Sequence, residues 1–329
     1  MSEPTLSVAL CTYNGGPFLQ AQLESIGKQT LPPAEVVICD DGSTDNTLAL
    51  VRQFAATACF PVRLSCNPTN LGSTKNFEQA VALCRGEIIA LCDQDDVWVA
   101  HKLQTLVQAL ANQPNAAYVF SDMFDWPGDS LTGTYQTLWQ LGRFDSSHFR
   151  QLPALEQVRD LLKFDRVTGT TMAFRATYKS YILPISPVWF HDGWIALLLT
   201  CLGYRGIPVA EPLLYYRRHA GQQTAIGREG LTQRVKRSRS VKYAAYMRQA
   251  QRFGDMRDRL DGLQAELPIK DYAEIRTLLT EKEGHLAARA ALHSKPPWFR
   301  ILPLMREFRT GSYHKYADTW PCVVKDLLF

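Results

Sequence analysis

Carboxylates and small polar residues gather at four places in the first hundred residues, each directly after a short apolar run. Leu6–Cys11 is followed by Thr12-Tyr13-Asn14-Gly15-Gly16, and Glu35–Cys39 by Asp40-Asp41-Gly42-Ser43. Val62–Ser65 leads to Asn67–Asn70 and Gly72, and Glu87–Cys92 to Asp93-Gln94-Asp95-Asp96. Hard carboxylate oxygens of this kind suit Mg²⁺ or Mn²⁺, which takes one or two protein ligands and completes its octahedron with phosphate oxygens and water. The chain has no GxGxxG after its first apolar run and no GxxxxGK[ST], so a glycine-loop phosphate cradle is not expected. A nucleotide diphosphate neutralised by a cation is the chemistry these residues can do. Asp93–Asp96 taken alone also fits a solvated turn at a helix start, where carboxylates are favoured.

The segments between the apolar runs carry helical spacing. Pro17 suits a first helical turn, with Leu19, Leu23 and Ile26 on one face. Ser43 or Thr44 is expected to cap a second helix with Val51 and Phe54 inward, and Ser73 a third with Phe77, Ala80 and Val81 inward. Strand–helix–strand alternation implies right-handed crossovers and a mainly parallel sheet. In such a sheet ligands bind outside the carboxyl ends of the strands, so all four polar clusters fall on one edge. Lys102–Leu110 reads as a further helix, Ala117–Ser121 as a strand, 122–150 as a long functional loop or an insertion, and Val167–Phe174 as a return to the sheet.

With 329 residues, 46% hydrophobic and 21% charged, the chain has globular composition and length for one large or two ordinary domains. The net charge of +4 is too small to argue for nucleic acid, and no base-reading motif accompanies the basic residues. No apolar run approaches the ~18–20 residues of a membrane span. The N-terminus shows no basic segment followed by a signal-type apolar run, and the eight cysteines form no CxxC pair. A reduced, cytoplasmic setting is the expectation.

Read together, Val8–Asn14 (VALCTYN), Val36–Asp45 (VVICDDGSTD), Asn70–Phe77 (NLGSTKNF) and Leu91–Trp98 (LCDQDDVW) resemble the inverting glycosyltransferases of family 2, with the GT-A fold. Val167–Met172 (VTGTTM), His191–Trp194 (HDGW) and Tyr215–His219 (YYRRH) are similar to the bacterial rhamnosyltransferase-like subgroup. The resemblance covers roughly residues 5 to 225. It implies an α/β GT-A domain over 1–225; beyond it, the chain turns helical and charged from about residue 228, which reads as a mostly helical region over 226–329. Thr12, Tyr13 and Asn14 would line a nucleotide pocket, and Asp41 would accept from the imide N–H of uracil or thymine. Asp93 and Gln94 would face the ribose and diphosphate. Asp95, with Asp93 and His219, would hold Mg²⁺ or Mn²⁺. Asp192 would be the base that takes the acceptor's proton, though it also fits a helix cap. Arg217 or Arg218 would offset phosphate charge. Trp194 fits a sugar platform or the core equally well, and Gly169, Thr170 and Thr171 an acceptor pocket or a sheet edge.

The donor so implied is a UDP- or dTDP-sugar, dTDP-rhamnose first. The acceptor would be a saccharide, often lipid-linked, in bacterial surface polysaccharide synthesis. Two rivals stand beside this reading. A nucleotidyltransferase would place a glycine-rich run ending in Arg and Lys after the first strand, and Thr-Tyr-Asn stands there instead. A non-catalytic sugar-nucleotide-binding or scaffold protein would have no need of Asp41, Asp93, Asp95 and Asp192 together. Between Arg228 and Arg252 eight basic residues face one acidic one, and Trp298–Phe308 mixes aromatics with arginines. These segments fit a solvated helix face or peripheral docking on anionic lipid at the inner face of the cytoplasmic membrane.

Overall fold

A computed structural model describes residues 4–128, 130–219, 221–222 and 243–328. Arg228, Arg234, Lys236, Arg237, Arg239 and Lys242 of the basic stretch lie outside the described residues. The chain divides into two compact units: Met1–Leu152 with Val167–Leu199 and Tyr204–Gly227, and Pro153–Arg166 with Thr200–Gly203 and Arg228–Phe329. The second unit therefore takes in residues from before the 225/226 division expected from the sequence.

The first unit is built on an eight-stranded sheet in the order β3-β2-β1-β4-β7-β6-β8-β5. Its strands are β1 (Leu6–Thr12), β2 (Glu35–Asp40), β3 (Val62–Cys66), β4 (Ile88–Cys92), β5 (Val97–Trp98), β6 (Ala116–Trp126), β7 (Met172–Arg175) and β8 (Arg205–Arg217). The first four pair in parallel, as the crossover pattern requires. The sheet then becomes mixed, because β7 runs antiparallel to both β4 and β6, and β5 antiparallel to β8. Thr12 pairs with Asp40, Asp40 with Cys66 and Leu10 with Cys92. This register ends the four strands together, and so delivers the four polar clusters to one edge.

The strand period of two sorts the core. Val8, Leu10, Val36, Ile38, Ile88 and Ala90 pack with Leu19, Leu23 and Ile26 of α1 (Gly16–Gly27), Val51 of α2 (Thr47–Thr57) and Leu103, Leu106 and Leu110 of α4 (Lys102–Ala111). Phe77, Ala80 and Val81 of α3 (Ser73–Leu83) are buried as well, and α3 packs on β1 and β2.

Three local expectations are corrected. Neither Ser43 nor Thr44 caps α2, which starts at Thr47 after Asn46; both are drawn instead into the loops between strands, by Asp40 and Asn14. Ser73 is the first residue of α3, behind Gly72 at a φ of 82°, and does not cap it. Residues 122–150 are not a long loop. β6 runs on to Trp126, and α5 (Leu138–Gly142) follows, opened by a reciprocal capping box between Thr137 and Gln140. Then comes α6 (Ser146–Gln151), capped by Asp145. The short strand β5 and the long β8 were not read from the sequence. α8 (Lys179–Ile182) and α9 (His191–Cys201) complete the helices whose residues begin in this unit.

In the second unit the described residues are helical: α7 (Ala154–Lys163), α10 (Tyr243–Gln264), α11 (Tyr272–His293), α12 (Ile301–Arg309), α13 (Ser312–Tyr316) and α14 (Thr319–Leu328). Its centre is the buried Asp326 carboxylate, which accepts from Arg289 at 2.5 and 3.0 Å, from His293 at 3.0 Å and from Tyr313 at 2.7 Å. Burial alone would raise this carboxyl, but the hydrogen bonds from His293 and Arg289 outweigh it and hold it well below the usual range. No described helix is long and apolar enough to cross a membrane. All eight cysteines are free thiols.

Candidate active site

The loops at the sheet edge hold one another. The Thr12 hydroxyl donates to Asp40 Oδ2 at 2.7 Å, and the same carboxylate accepts from the Ser43 amide and hydroxyl at 2.8 and 2.6 Å. Asp40 is thus a structural clamp. Asn14 sits at a φ of 47°, donates its amide to Ser43 Oγ at 2.8 Å and accepts from the Thr44 amide at 2.9 Å. Asn tolerates this left-handed backbone better than other non-glycine residues. The Gln94 amide closes a two-bond ring with the backbone of Tyr13, accepting from its N–H at 2.9 Å and donating to its carbonyl at 3.0 Å. Gln94 therefore ties the first loop to the acidic turn, and the Tyr13 ring is left half exposed.

Asp41 is buried and accepts from the Asn67 side chain and the Leu71 and Gly72 amides, at 2.8, 2.8 and 2.9 Å. A carboxylate has about four lone-pair directions, so this one shapes the 67–72 loop and keeps a single direction for a ligand.

The acidic turn carries most of the charge. Burial, and then the neighbouring Asp95, Asp96 and Asp192, push the Asp93 carboxyl well above its ordinary value. Asp96 is fully buried and pushed up to about 8, by burial first and then by Asp95. Its Oδ2 has no hydrogen-bond partner. Asp95 Oδ2 lies 2.8 Å from His219 Nε2. The short antiparallel pairing of Val97 with Tyr215 is what carries the end of β8 back to this turn. Arg217 comes with it, donating Nε–H to the Asp95 carbonyl at 2.9 Å while its guanidinium lies 4.2 Å from the Trp126 ring centre. Arg218 is turned to Asp125 instead, which leaves Arg217 as the arginine of the pair held against the acidic turn.

Asp192, in the first turn of α9, accepts from the Gly169 amide at 2.8 Å and the Gly193 amide at 2.7 Å. Thr170 and Thr171 are buried beside Gly169 in a 3-10 turn. Trp194 is a core residue whose indole N–H donates to the Ile182 carbonyl at 2.9 Å, so it is no sugar platform. His191 stacks on Phe77 with ring centres 3.7 Å apart, has no partner for either nitrogen, and is pushed down to about 3 by burial.

Two residues of the site were not singled out from the sequence. In the sequence Asp96 is one of three carboxylates with the chemistry of a cation ligand, and nothing local marks its deep burial. In the sequence Lys102 is simply the first residue of a helical segment. It is fully buried, 3.8 Å over the Trp98 ring, and its ammonium donates to the Thr170 carbonyl. Burial brings it down to about 7, against the pull of Cys92, Asp96 and Asp93. The signal available was a cation in the first turn of a helix, where the macrodipole disfavours it.

Among the described residues no three His, Cys, Asp or Glu side chains already form a metal cage. A divalent cation arriving with a diphosphate does not need one, since phosphate and water supply most of its oxygens. The Asp95–His219 pair, with Asp93 in the same turn, fits such an ion; imidazole favours Mn²⁺ over Mg²⁺ in that role.

The family model described as glycosyl transferase family 2 matches residues 7–181. Among curated proteins, an uncharacterized glycosyltransferase of Nostoc is 28% identical over 65% of this chain and 65% of its own length. The Escherichia coli UDP-Glc:alpha-D-GlcNAc-diphosphoundecaprenol beta-1,3-glucosyltransferases WfgD and WfaP are 27% and 23% identical, over 41% and 67% of this chain and 52% and 80% of their own lengths. The chain spans 59–65% of the length of the first curated relatives it matches. Among solved structures, S. aureus TarS 1-349 has a TM-score of 0.58 at 16% identity, over 95% of this chain and 89% of that one. The mannosyltransferase PcManGT of Pyrobaculum calidifontis, in complex with GDP-Man and Mn²⁺, has a TM-score of 0.53 at 18% identity, over 99% and 86%. These likenesses carry the GT-A fold. With more than half of its length matched by the family model and the acidic turn, Asp192 and His219 brought to one sheet edge, the chain belongs to glycosyl transferase family 2.

Proposed function

We propose that the protein is a metal-dependent inverting glycosyltransferase that moves a sugar from a UDP- or dTDP-sugar to a saccharide acceptor. The observation that carries this reading is the meeting of the acidic turn with His219 at 2.8 Å on the sheet edge where Asp192 is also anchored. The amides of Gly169 and Gly193 donate to the Asp192 carboxylate and fix its direction. It takes the proton of the acceptor hydroxyl as that oxygen attacks the anomeric carbon from the face opposite the nucleotide. The new carbon–oxygen bond forms while the bond to the diphosphate breaks, and its electron pair leaves with the diphosphate. One displacement inverts the configuration with no covalent intermediate. Asp93, Asp95 and His219 would hold the cation, which when bound neutralises the leaving diphosphate. Arg217 adds a fixed positive charge, and Asp41 offers its remaining lone pair to a uracil or thymine imide N–H.

The motif resemblance puts dTDP-rhamnose first among donors. The names of WfgD and WfaP support UDP-hexoses and a diphosphoundecaprenol-linked acceptor, and Mn²⁺ in the PcManGT complex supports the metal. The product would be a bacterial surface polysaccharide. A lipid-linked acceptor would bring the enzyme to the anionic inner face of the cytoplasmic membrane.

Thermal stabilisation by UDP-, dTDP-, GDP- and CMP-sugars, each with Mn²⁺ and with EDTA, tests the donor site, because a ligand of the folded state raises Tm by mass action. The expected result is a metal-dependent rise confined to the UDP or dTDP compounds. No rise with any of them, in folded protein, would overturn the donor assignment.

A further inference from the structure

Fifteen large hydrophobic side chains are exposed among the described residues, and eight of them lie between Trp298 and Leu328. They are not scattered. On α12, Ile301, Leu302 and Met305 share one exposed side of the helix, bordered by the buried Leu304. On α14, Trp320, Val324 and Leu328 recur every fourth residue along one exposed stripe, with the buried Asp326 on the far side. Phe308 of α12 meets Trp320 at 5.5 Å between ring centres, so the two outward faces adjoin. Trp298 and Phe299 stand in the turn that leads into α12, and Leu302, Trp298 and Trp320 are 80%, 71% and 65% exposed. An apolar face this concentrated marks an interaction surface.

The charges say what covers it. Lys295, Arg306 and Arg309 are exposed in this stretch, and both arginines lie on the outward side of α12. The three carboxylates of 295–328 offer little opposition. Glu307 is paired with His285, and Asp326 is buried against Arg289. Only Asp318 is exposed. Aromatic and aliphatic residues interleaved with arginine, and tryptophan at the margins, suit the boundary between headgroups and acyl chains. A second copy fits poorly, because an isologous contact would set this basic face against itself.

We propose that the outward faces of α12 and α14, with Trp298 and Phe299, lie in the surface of an anionic membrane and hold the protein there without crossing it. The choice of a membrane rests partly on the lipid-linked acceptor of the proposed function, but the test does not need that acceptor. Flotation is measured with vesicles of phosphatidylcholine containing about 30% phosphatidylglycerol, and with phosphatidylcholine alone. The protein is expected to float with the anionic vesicles, less with the neutral ones, and less as salt is raised. The double variant Leu302→Glu and Trp320→Glu is expected to bind the anionic vesicles at least ~10-fold more weakly. Both side chains are mostly exposed and only the Trp320 contact with Phe308 is lost, so the variant should keep wild-type helix content by circular dichroism with at most a small fall in Tm. The double variant Arg306→Glu and Arg309→Glu should lose the preference for anionic lipid. Wild-type protein that stays with the pellet, or apolar-face variants that float as well as wild type, would overturn the inference. So would a sedimenting dimer that the same variants dissolve, which would assign the face to a second copy. UDP and Mn²⁺ stabilisation, read without lipid on the same preparations, reports separately on the donor site.

Discussion

Asp95 and His219 are 124 residues apart in the chain, and their carboxylate oxygen and imidazole nitrogen lie 2.8 Å apart in the fold. The contact depends on the pairing of β5 with β8, which returns the end of β8 to the turn after β4. Phe18 of α1 supports the imidazole, with ring centres 4.3 Å apart. If the pair receives the cation, His219→Ala should weaken Mn²⁺-dependent binding of UDP by about 10–100-fold, while any metal-free binding changes little. Isothermal titration with Mn²⁺ and with EDTA reads both, and equal losses in the two would remove His219 from the metal site.

Asp192→Asn should separate binding from turnover. An amide can still accept through one oxygen, so the link to Gly169 can survive, but it cannot take the acceptor's proton. The expected outcome is a donor KM close to wild type and a kcat lower by about 10²–10⁴-fold. Full activity in the variant would favour a protein that binds sugar nucleotides without transferring them.

Lys102 joins the acidic turn to the loop that holds Asp192, since its ammonium donates to the carbonyl of Thr170, one residue after the Gly169 amide. Lys102→Met keeps the length of the side chain and leaves that buried carbonyl without its donor. Denaturant unfolding should then show a loss of about 1–3 kcal/mol.

His191 supplies a pH dependence of stability. Its folded-state value of about 3 lies below the ordinary value near 6.5. The neutral ring therefore stabilises the fold fully above about pH 6.5, and the contribution is lost as pH falls from there toward 3. Across that window the unfolded chain binds one more proton at this site. In His191→Leu, the slope of unfolding free energy against pH between about 4 and 6 should flatten by up to about 1.4 kcal/mol per unit. An unchanged slope would mean that the ring is protonated in the folded protein.

The Asp326 network should govern the second unit. Asp326→Asn leaves Arg289 buried without its counter-charge, and the expected loss is about 3–5 kcal/mol. Because the Asp326 carboxyl is held low, its contribution is complete above the ordinary Asp value of ~3.9 and is lost as pH falls below it. Acid titration followed by circular dichroism would detect helix loss there, reduced in the variant.

The four polar clusters at the sheet edge were legible because they rest on local rules. Apolar runs of strand length alternate with segments of helical period, and parallel strands must end on the same side. Where the local rules were ambiguous, tertiary contacts decided. Ser43 has the chemistry of a helix cap, yet Asp40 offers it a buried carboxylate and takes it instead. Trp194 could have faced a ligand, but its indole found the Ile182 carbonyl in the core. Gln94 sits between metal-type carboxylates and turned out to bind backbone.

By itself the sequence determined the α/β architecture, the edge that bears the site, and the residue types gathered there. Each follows from periodicity and from strand direction, which are properties of short segments. Only the tertiary structure decided which carboxylates are buried, that His219 reaches Asp95, that Gly169 holds Asp192, and that Lys102 lies under the acidic turn. The contacts of His219, Asp192 and Lys102 depend on a mixed second half of the sheet, whose pairings join residues far apart in the chain and leave no periodic trace in it.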